Sequence, residues 1–355
     1  MSQETVTLVA AGDIQFDSSP PGLLESDAVS LFRAGPLNAA NLEMVLSSGG
    51  HPQIGKAIRL RTDPILAPFL KQLNCRVLSF ANNHSLDFEE QGLLDTLQEG
   101  NKLGLQIVGA GKNIEEAQAH VLAEVDGLKV SFVAFSCTCG PSSQASSQKP
   151  GIFRVDVEVN WELAPLRHLE QPGRPPRISS RTAKDDLELV KREISDASKK
   201  SDIVVVMPHW GVAFTYELTD YQRELAHELV NSGAHLVIGS HPHIIQAMER
   251  YKSGLIFYSL GNFIFQHQTD PGKARKLGWP ALYRRGFREC LLVKVPLSPN
   301  KIGRAEIYPM ILNERGVPSI AQGREAENIL ETLKYISELE QTSVQIDSKA
   351  LRAYV

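Results

Sequence analysis

The sequence predicts a soluble α/β protein, on three observations. Short apolar runs alternate with amphipathic stretches along most of the chain, the pattern of strands packed beneath helices. Five of the polar clusters carry Asp, Glu, Asn or His directly after such a run, where α/β sheets build their ligand sites. Hydrophobic residues make up 42% and charged residues 22% of the 355 positions, which supplies a sizeable core and excludes a disordered chain.

The elements follow in order. Val6 to Ala11 reads as a buried strand, Asp63 to Leu73 as a helix with Pro64 near its first turn, and Arg76 to Phe80 as a strand. Glu89 to Lys102 is helical, with Leu93, Leu94 and Leu97 on one face, and Leu105 to Val108 is a strand. Val121 to Val125 and Lys129 to Phe135, joined through Asp126-Gly127, form a β-hairpin signal. Residues from about 137 to 180 are rich in Gly, Pro, Ser and Gln, and are expected to be a loop excursion with the character of a lid. Thr182 to Lys200 and Asp220 to Ser232 read as helices, and Asp202 to Met207 and His235 to Ile238 as strands. Ile245 to Tyr251 and Leu255 to Ser259 suggest a second hairpin, and Glu289 to Val295 and Arg304 to Met310 continue the β pattern. Glu325 to Leu339 is an amphipathic helix. One domain over 1–315 with a helical appendage over 316–355 is the expected organisation.

Charge and cysteines exclude several function classes. Lys and Arg number 37 against 41 Asp and Glu, a net charge of −4, so binding nucleic acid through a broad basic face is not expected. No run reaches the roughly 18–20 apolar residues of a membrane span, and Met1 to Thr5 lacks the cationic flank of a signal peptide. Cys75, Cys137, Cys139 and Cys290 fit neither a disulfide framework nor a four-thiolate zinc site, so a reducing, cytoplasmic setting is expected.

The chemistry sits in the clusters that follow strands: Gly12-Asp13, Asn41-Leu42-Glu43, Asn82-Asn83-His84, His209-Trp210-Gly211 and His241-Pro242-His243. Imidazole nitrogen and carboxylate oxygen suit zinc, manganese or iron. Asp13, Glu43, Asn83, His209, His241 and His243 offer enough donors for one or two divalent ions, two if Glu43 bridges. Each has a plainer reading: Asp13 as a cap or turn residue, Glu43 as a surface charge, Asn82-Asn83 as a turn, His209 and Trp210 as core or rim residues. The His-Pro-His loop is the hardest to read that way. Arg61, Asn82 and Trp210 are candidates for touching substrate, with a solvated strand face the alternative for Arg61. Asn262, in Tyr258-Ser-Leu-Gly-Asn-Phe263, is expected to brace the histidine loop, and Gln15 to support Asp13. His51, His120, His168, His227, His235 and His267 read as surface or packing residues.

Taken in order, these pieces, with Asp87 of Ala81-Asn-Asn-His-Ser-Leu-Asp87 and with Gly109-Ala-Gly111, resemble the bacterial capsule-synthesis CapA family, also called the poly-γ-glutamate biosynthesis PgsA-like family. That family is similar in fold to the calcineurin-like metallophosphoesterases, which implies a four-layer α/β/β/α sandwich around a two-metal site. The resemblance implies Asp13 and His243 on one ion, Asn83, His209 and His241 on the other, and Glu43 between them. It implies that His84 protonates the leaving group and that Asp87 orients His84. The superfamily's Asp-x-His first motif has Gln15 at its second position here, and its bridging Asp is Glu43.

A metal-dependent hydrolase acting on a phosphoester, or on a glutamyl-type or peptide amide, is the expected function. Two alternatives stand beside it: an epimerase moving a proton at a peptide or amino-acid α-carbon, and a binding protein for an anionic polymer. Substrates are expected among small molecules, peptides or anionic polymers.

Overall fold

A computed structural model describes residues 5–19, 22–162, 169–173, 175–266 and 285–355. Two sheets face each other. Among the described residues the larger has the strand order Gln345–Asp347, Arg352–Tyr354, Glu306–Leu312, Glu289–Ser298, Val6–Gln15, Leu37–Leu42, Val77–Ser79, Gln106–Val108. The last four run parallel to one another, and Glu289–Ser298 is antiparallel to Val6–Gln15. The smaller sheet has the order Met248–Tyr251, Gly254–Phe257, Leu236–Ile238, Ile203–His209, Leu128–Ser136, Val121–Val125, parallel in its centre and antiparallel at both edges.

The unbroken apolar runs of the centre follow from burial on both faces. In Ile203–His209, Ile203, Val205 and Met207 join the core shared with the larger sheet, while Val204 and Val206 join the core beneath the helices. The strand Leu128–Ser136 divides the same way, with Phe132 and Ala134 on one side and Val133 and Phe135 on the other. Helices Lys184–Ser198 and Asp220–Asn231 cover the outer face of the smaller sheet through Val190, Ile194, Leu225 and Leu229. Glu89–Leu103 packs its buried Leu93 into the core of the larger sheet. The result is the four-layer α/β/β/α sandwich.

Several elements differ from expectation. The stretch from Asp63 to Leu73 is a 3-10 turn, Pro64–Leu66, followed by a short helix, Pro68–Gln72. Pro68 has no N–H to continue the first turn, so it begins the second. The excursion near 137–180 carries regular structure: Val157–Glu162 and Arg177–Thr182 form an antiparallel ribbon. The alternation of Val157, Val159 and Trp161 with polar residues is the strand signal that the Pro/Gly-rich surroundings obscure. The ribbon leans on the start of the helix Asp220–Asn231, where Tyr221 N donates to Ser180 Oγ over 3.3 Å. The second hairpin is shorter than expected, with Met248–Tyr251 pairing with Gly254–Phe257.

The 316–355 stretch is more than a helical appendage. Its helix, Gly323–Leu339, buries Ala326, Ile329, Leu330, Leu333 and Ile336 along one stripe. Pro318–Ile320 and Arg352–Tyr354 pair with Glu306–Leu312, and Gln345–Asp347 pairs with Arg352–Tyr354. These strands extend the larger sheet, and at three residues each they are too short for periodicity to reveal.

Candidate metal centre

Both sheets deliver their polar residues to one place, at the carboxyl ends of the parallel strands. Asp13 lies near the end of Val6–Gln15, at a register shift where the strand leaves Glu289–Ser298 and pairs with Asn262–Phe265. The crossing is tight: a Cβ on Gly12 would stand 1.8 Å from Gly261 O, so only glycine fits beside Asp13. Glu43 follows Leu37–Leu42, and Asn82 to His84 follow Val77–Ser79. On the facing sheet, His209 ends its strand and His241 and His243 follow Leu236–Ile238. Both latter histidines hold left-handed backbone, with φ of 98° and 57°, a conformation costly for residues other than glycine.

Asp13, Glu43 and His243 form one group, each offering an atom within 4.8 Å of the others. His243 Nε2 is 3.4 Å from Glu43 Oε1, and Nδ1 is 3.4 Å from Asp13 Oδ2. Asn262 Oδ1 lies 2.9 Å from His243 Nδ1, and Asn262 Nδ2 donates to His243 O over 3.3 Å, which ties Asn262 to the histidine loop at two points. Asn83, His209 and His241 form the second group. Asn83 Oδ1 is 2.9 Å from His209 Nε2, and the His209 and His241 rings are 4.9 Å apart. His241 and His243 are 6.0 Å apart, so the groups adjoin.

Three buried polar atoms here have no hydrogen-bond partner: Asp13 Oδ2, Glu43 Oε1 and His241 Nδ1. Burial without a partner costs free energy, and a cation held between Asp13 and Glu43 would remove that cost for the two carboxylates. The donor set therefore fits a divalent ion. Burial, with Asp13 adding to it, pushes Glu43 well above the usual carboxylate range against the pull of His243. Burial opposes charge on His243, but Glu43, Asp13 and Asn262 outweigh it and lift the imidazole to about 9. Burial and neighbouring imidazoles draw His241 down to about 3 and His209 well below its ordinary value. His209 and His241 thus hold the neutral form that ligates metals, whereas His243 gives up its proton on ligation.

His84 stands beside the first group, with Nε2 3.8 Å from Glu43 Oε1 and Nδ1 2.6 Å from Asp87 Oδ2. Burial holds it down at about 4 even though Asp87 pulls the other way. Leu60 N donates to Asp87 Oδ2 over 2.6 Å, and Lys56 Nζ pairs with Asp87 Oδ1 and with the Asn83 carbonyl.

The remaining expected residues divide. Asn82 is buried and donates to Leu42 O over 2.7 Å and to Asn41 Oδ1 over 3.1 Å, which makes it a brace between two site loops rather than a substrate contact. Trp210 is a correction. It is fully buried, its Nε1 donates to Tyr258 O over 2.9 Å, and it stacks on Tyr258, so it belongs to the core under the helices and cannot touch substrate. Arg61 is exposed, with its guanidinium 4.3 Å from the centre of the Phe88 ring, just after Asp87. Gln15 is buried, two residues after Asp13. His168 and His267 lie outside the described residues.

Sequence reasoning missed three contributors. Asn41 Nδ2 donates to Asp13 Oδ1 over 2.9 Å and reaches Glu43 Oε2 at 3.4 Å. Ser240 Oγ lies 2.9 Å from His209 Nδ1 and fixes that ring. Lys56 comes from a loop 31 residues before Asp87, with no spacing to signal it. Asn41 and Ser240 were legible as the residues flanking predicted ligands.

The fold is that of a metallophosphoesterase-like sandwich. Similar solved structures include a phosphatase from Mycoplasma pneumoniae, 14% identical with a TM-score of 0.50 over 87% of this chain and 94% of that one. A hypothetical protein from Thermus thermophilus is 16% identical, with a TM-score of 0.52 over 86% of this chain and 98% of that one. Residues 7–267 match the family described as bacterial capsule synthesis protein PGA_cap, and the chain belongs to that family. Among curated relatives, the PGA biosynthesis protein CapA of Bacillus subtilis (strain 168) is 32% identical over 80% of this chain and 63% of its own length. The capsule biosynthesis protein CapA of Bacillus anthracis is 26% identical over 85% of this chain and 62% of its own length. The chain thus spans less than two-thirds of the length of these relatives. Among the described residues no helix is long and apolar enough to cross a membrane.

Proposed function

We propose that this centre holds one or two divalent cations, manganese, iron or zinc, and hydrolyses a phosphoester or a glutamyl-type amide. The observation that carries the reading is the group Asp13, Glu43 and His243, whose ligand atoms lie within 4.8 Å of one another while Asp13 Oδ2 and Glu43 Oε1 are buried without hydrogen-bond partners. Asp13, Glu43 and His243 would hold one position, and Asn83, His209 and His241 the other, with Glu43 between them. When bound, the cation supplies activation of water and neutralises charge on the substrate oxygen.

The chain's own residues do the rest. Asp87 accepts from His84 Nδ1 and so turns Nε2 toward the centre, the face from which a leaving group takes a proton. Lys56 and Leu60 N hold Asp87 in place. Asn41 and Asn82 tie the Asp13, Glu43 and Asn83 loops together. Because burial keeps His84 neutral, an anionic group beside Nε2 is needed to charge it, which favours a substrate carrying phosphate or carboxylate. The names of the Bacillus relatives supply the glutamyl candidate.

The same neutral His84 supports a second reading, in which Nε2 accepts a proton from a peptide α-carbon. The two differ in product mass. Elemental mass spectrometry of the native chain and of a His241→Ala/His243→Ala variant comes first, with stoichiometric metal expected in the native chain alone. Phosphoesters and glutamyl amides are then tested with and without chelator in deuterated water. Cleavage with addition of one water marks hydrolysis, and replacement of the α-proton by a single deuterium with no bond to the chain broken marks epimerisation. Absence of metal from the native chain after reconstitution with manganese or zinc would sink the metallohydrolase reading.

A further inference from the structure

Phe214, Phe265 and Phe287 stand against the ring of His243, the imidazole that faces Asp13 and Glu43. Phe265 ends the strand Asn262–Phe265 and meets that ring edge-on, with centroids 5.0 Å apart. Phe287, from the 3-10 turn Arg285–Arg288, lies 6.1 Å away and packs edge-on against Phe265 at 5.7 Å. Both are buried. Phe214 differs. It comes from the loop between His209 and the helix Asp220–Asn231, and it is half-buried. Its ring lies 5.7 Å from that of His243 with the two planes 23° apart, a stacked contact. Phe214 is the wall of this aromatic box that meets solvent.

The loop holds Phe214 there at a cost. Its φ of 65° is left-handed, a conformation rare and unfavourable for a bulky side chain. The backbone is held in it from several sides. Phe214 N donates to Pro242 O over 2.8 Å, which ties it to the loop that carries His241 and His243. Gln246 Nε2 donates to Thr215 O over 3.0 Å, and Gln222 Nε2 to Gln246 Oε1 over 3.2 Å. Both glutamines are buried. At the start of the loop, Gly211 N donates to Tyr221 Oη over 2.5 Å. Buried polar bracing thus maintains an unfavourable backbone, and what it secures is a ring stacked on His243.

Asn262 Oδ1, 2.9 Å from Nδ1, sets which edge of His243 turns inward and leaves Nε2 toward Glu43. Such a hydrogen bond is the usual brace of a ligating imidazole. It acts in the plane of the ring and resists tipping out of that plane only weakly. A flat ring pressed on the imidazole face opposes the tipping and keeps water from the face. For an ion to leave, His243 must swing away or water must replace it. On the reading of this centre as a metal site, we propose that Phe214 is a positioning residue for the cation: stacked on His243, it holds the imidazole in its ligating pose and slows release of the ion from the Asp13–Glu43–His243 position.

The test is a release experiment. The full chain is loaded with zinc and mixed with an excess of a coloured chelator, and release is followed by absorbance. The ion missing from His243→Ala identifies the phase that belongs to this position. Phe214→Gly removes the ring and relieves the left-handed backbone, and is expected to release that ion about tenfold faster than the native chain. Phe214→Leu keeps apolar bulk without a flat face, and is expected to release it several-fold faster. Phe214→Tyr restores the face and is expected to stay within about twofold of native. Val212→Ala, an exposed change in the same loop, is expected to leave the rate unchanged. Melting temperatures of the metal-free proteins, expected to stay close to native, establish that each variant is folded. Native release rates in folded Phe214→Gly and Phe214→Leu, fast release from Phe214→Tyr, or equal acceleration in Val212→Ala would overturn the proposal and leave the metal centre standing. A native chain that takes up no zinc would overturn both.

Discussion

His209 Nε2 and Asn83 Oδ1 stand 2.9 Å apart although 126 residues separate them and each comes from a different sheet. Asn83 follows a strand of the larger sheet and His209 ends a strand of the smaller one. The polar centre is thus a contact between the layers, and its integrity can be tested through stability as well as turnover.

A ligand that binds only the folded chain stabilises it by mass action, by about 2.7 kcal/mol at a hundredfold excess over Kd, and so raises its melting temperature. Manganese or zinc is expected to raise the melting temperature of chelator-treated protein by several degrees. His243→Ala, which leaves Asp13 and Glu43 without their imidazole, is expected to lose that shift. Differential scanning calorimetry with and without metal decides it, and an undiminished shift in the variant would place the ion elsewhere.

Lys56 pairs with Asp87, whose side chain is fully buried while that of Lys56 is 21% exposed. Lys56→Met leaves a buried carboxylate with only His84 and Leu60 N as partners, at a cost of about 1–3 kcal/mol. Asp87→Asn in the same background is expected to recover part of that loss. Urea unfolding of the two single variants and the double variant measures the coupling, and purely additive losses would show that the pair is not coupled.

Trp210 fills the core above Tyr258 and donates to its carbonyl oxygen. Trp210→Ala is expected to cost about 3–5 kcal/mol, the range for large aromatic truncation in a core. Trp210→Phe should cost less and leave metal content intact. Loss of substrate affinity in Trp210→Phe with unchanged stability would restore the substrate-contact reading.

His235 Nδ1 accepts from Val204 N over 3.1 Å, and burial holds this imidazole below its ordinary value. The unfolded chain, with a value of about 6.5, therefore takes up the proton first. The contribution of His235 is complete above that pH and is lost as the pH falls below it. Urea unfolding at two pH values on either side is expected to show lower stability in acid, and a smaller difference in His235→Gln. Equal slopes in the two proteins would remove His235 from the account.

The central strands and the convergence of polar donors were legible because they rest on patterns that local sequence carries. Buried strands such as Ile203–His209 are unbroken apolar runs, and the donors follow them directly. What escaped depends on contacts distant in sequence. Trp210 adjoins His209, yet successive residues of a strand point to opposite faces, so one enters the centre and the other the core. Lys56 reaches Asp87 from a loop without a periodic signal. The three-residue strands after the last helix acquire their conformation only by pairing with Glu306–Leu312 and each other.

Oxygen and nitrogen divide between the layers. Asp13, Glu43 and Asn83 belong to the larger sheet, and His209, His241 and His243 to the smaller. Among these six candidate ligands neither layer alone offers both oxygen and nitrogen, so the centre would work as a gauge of alignment. A slide of one sheet over the other by the length of a single bond would part the oxygens from the imidazole nitrogens before it disturbed any ladder of main-chain hydrogen bonds.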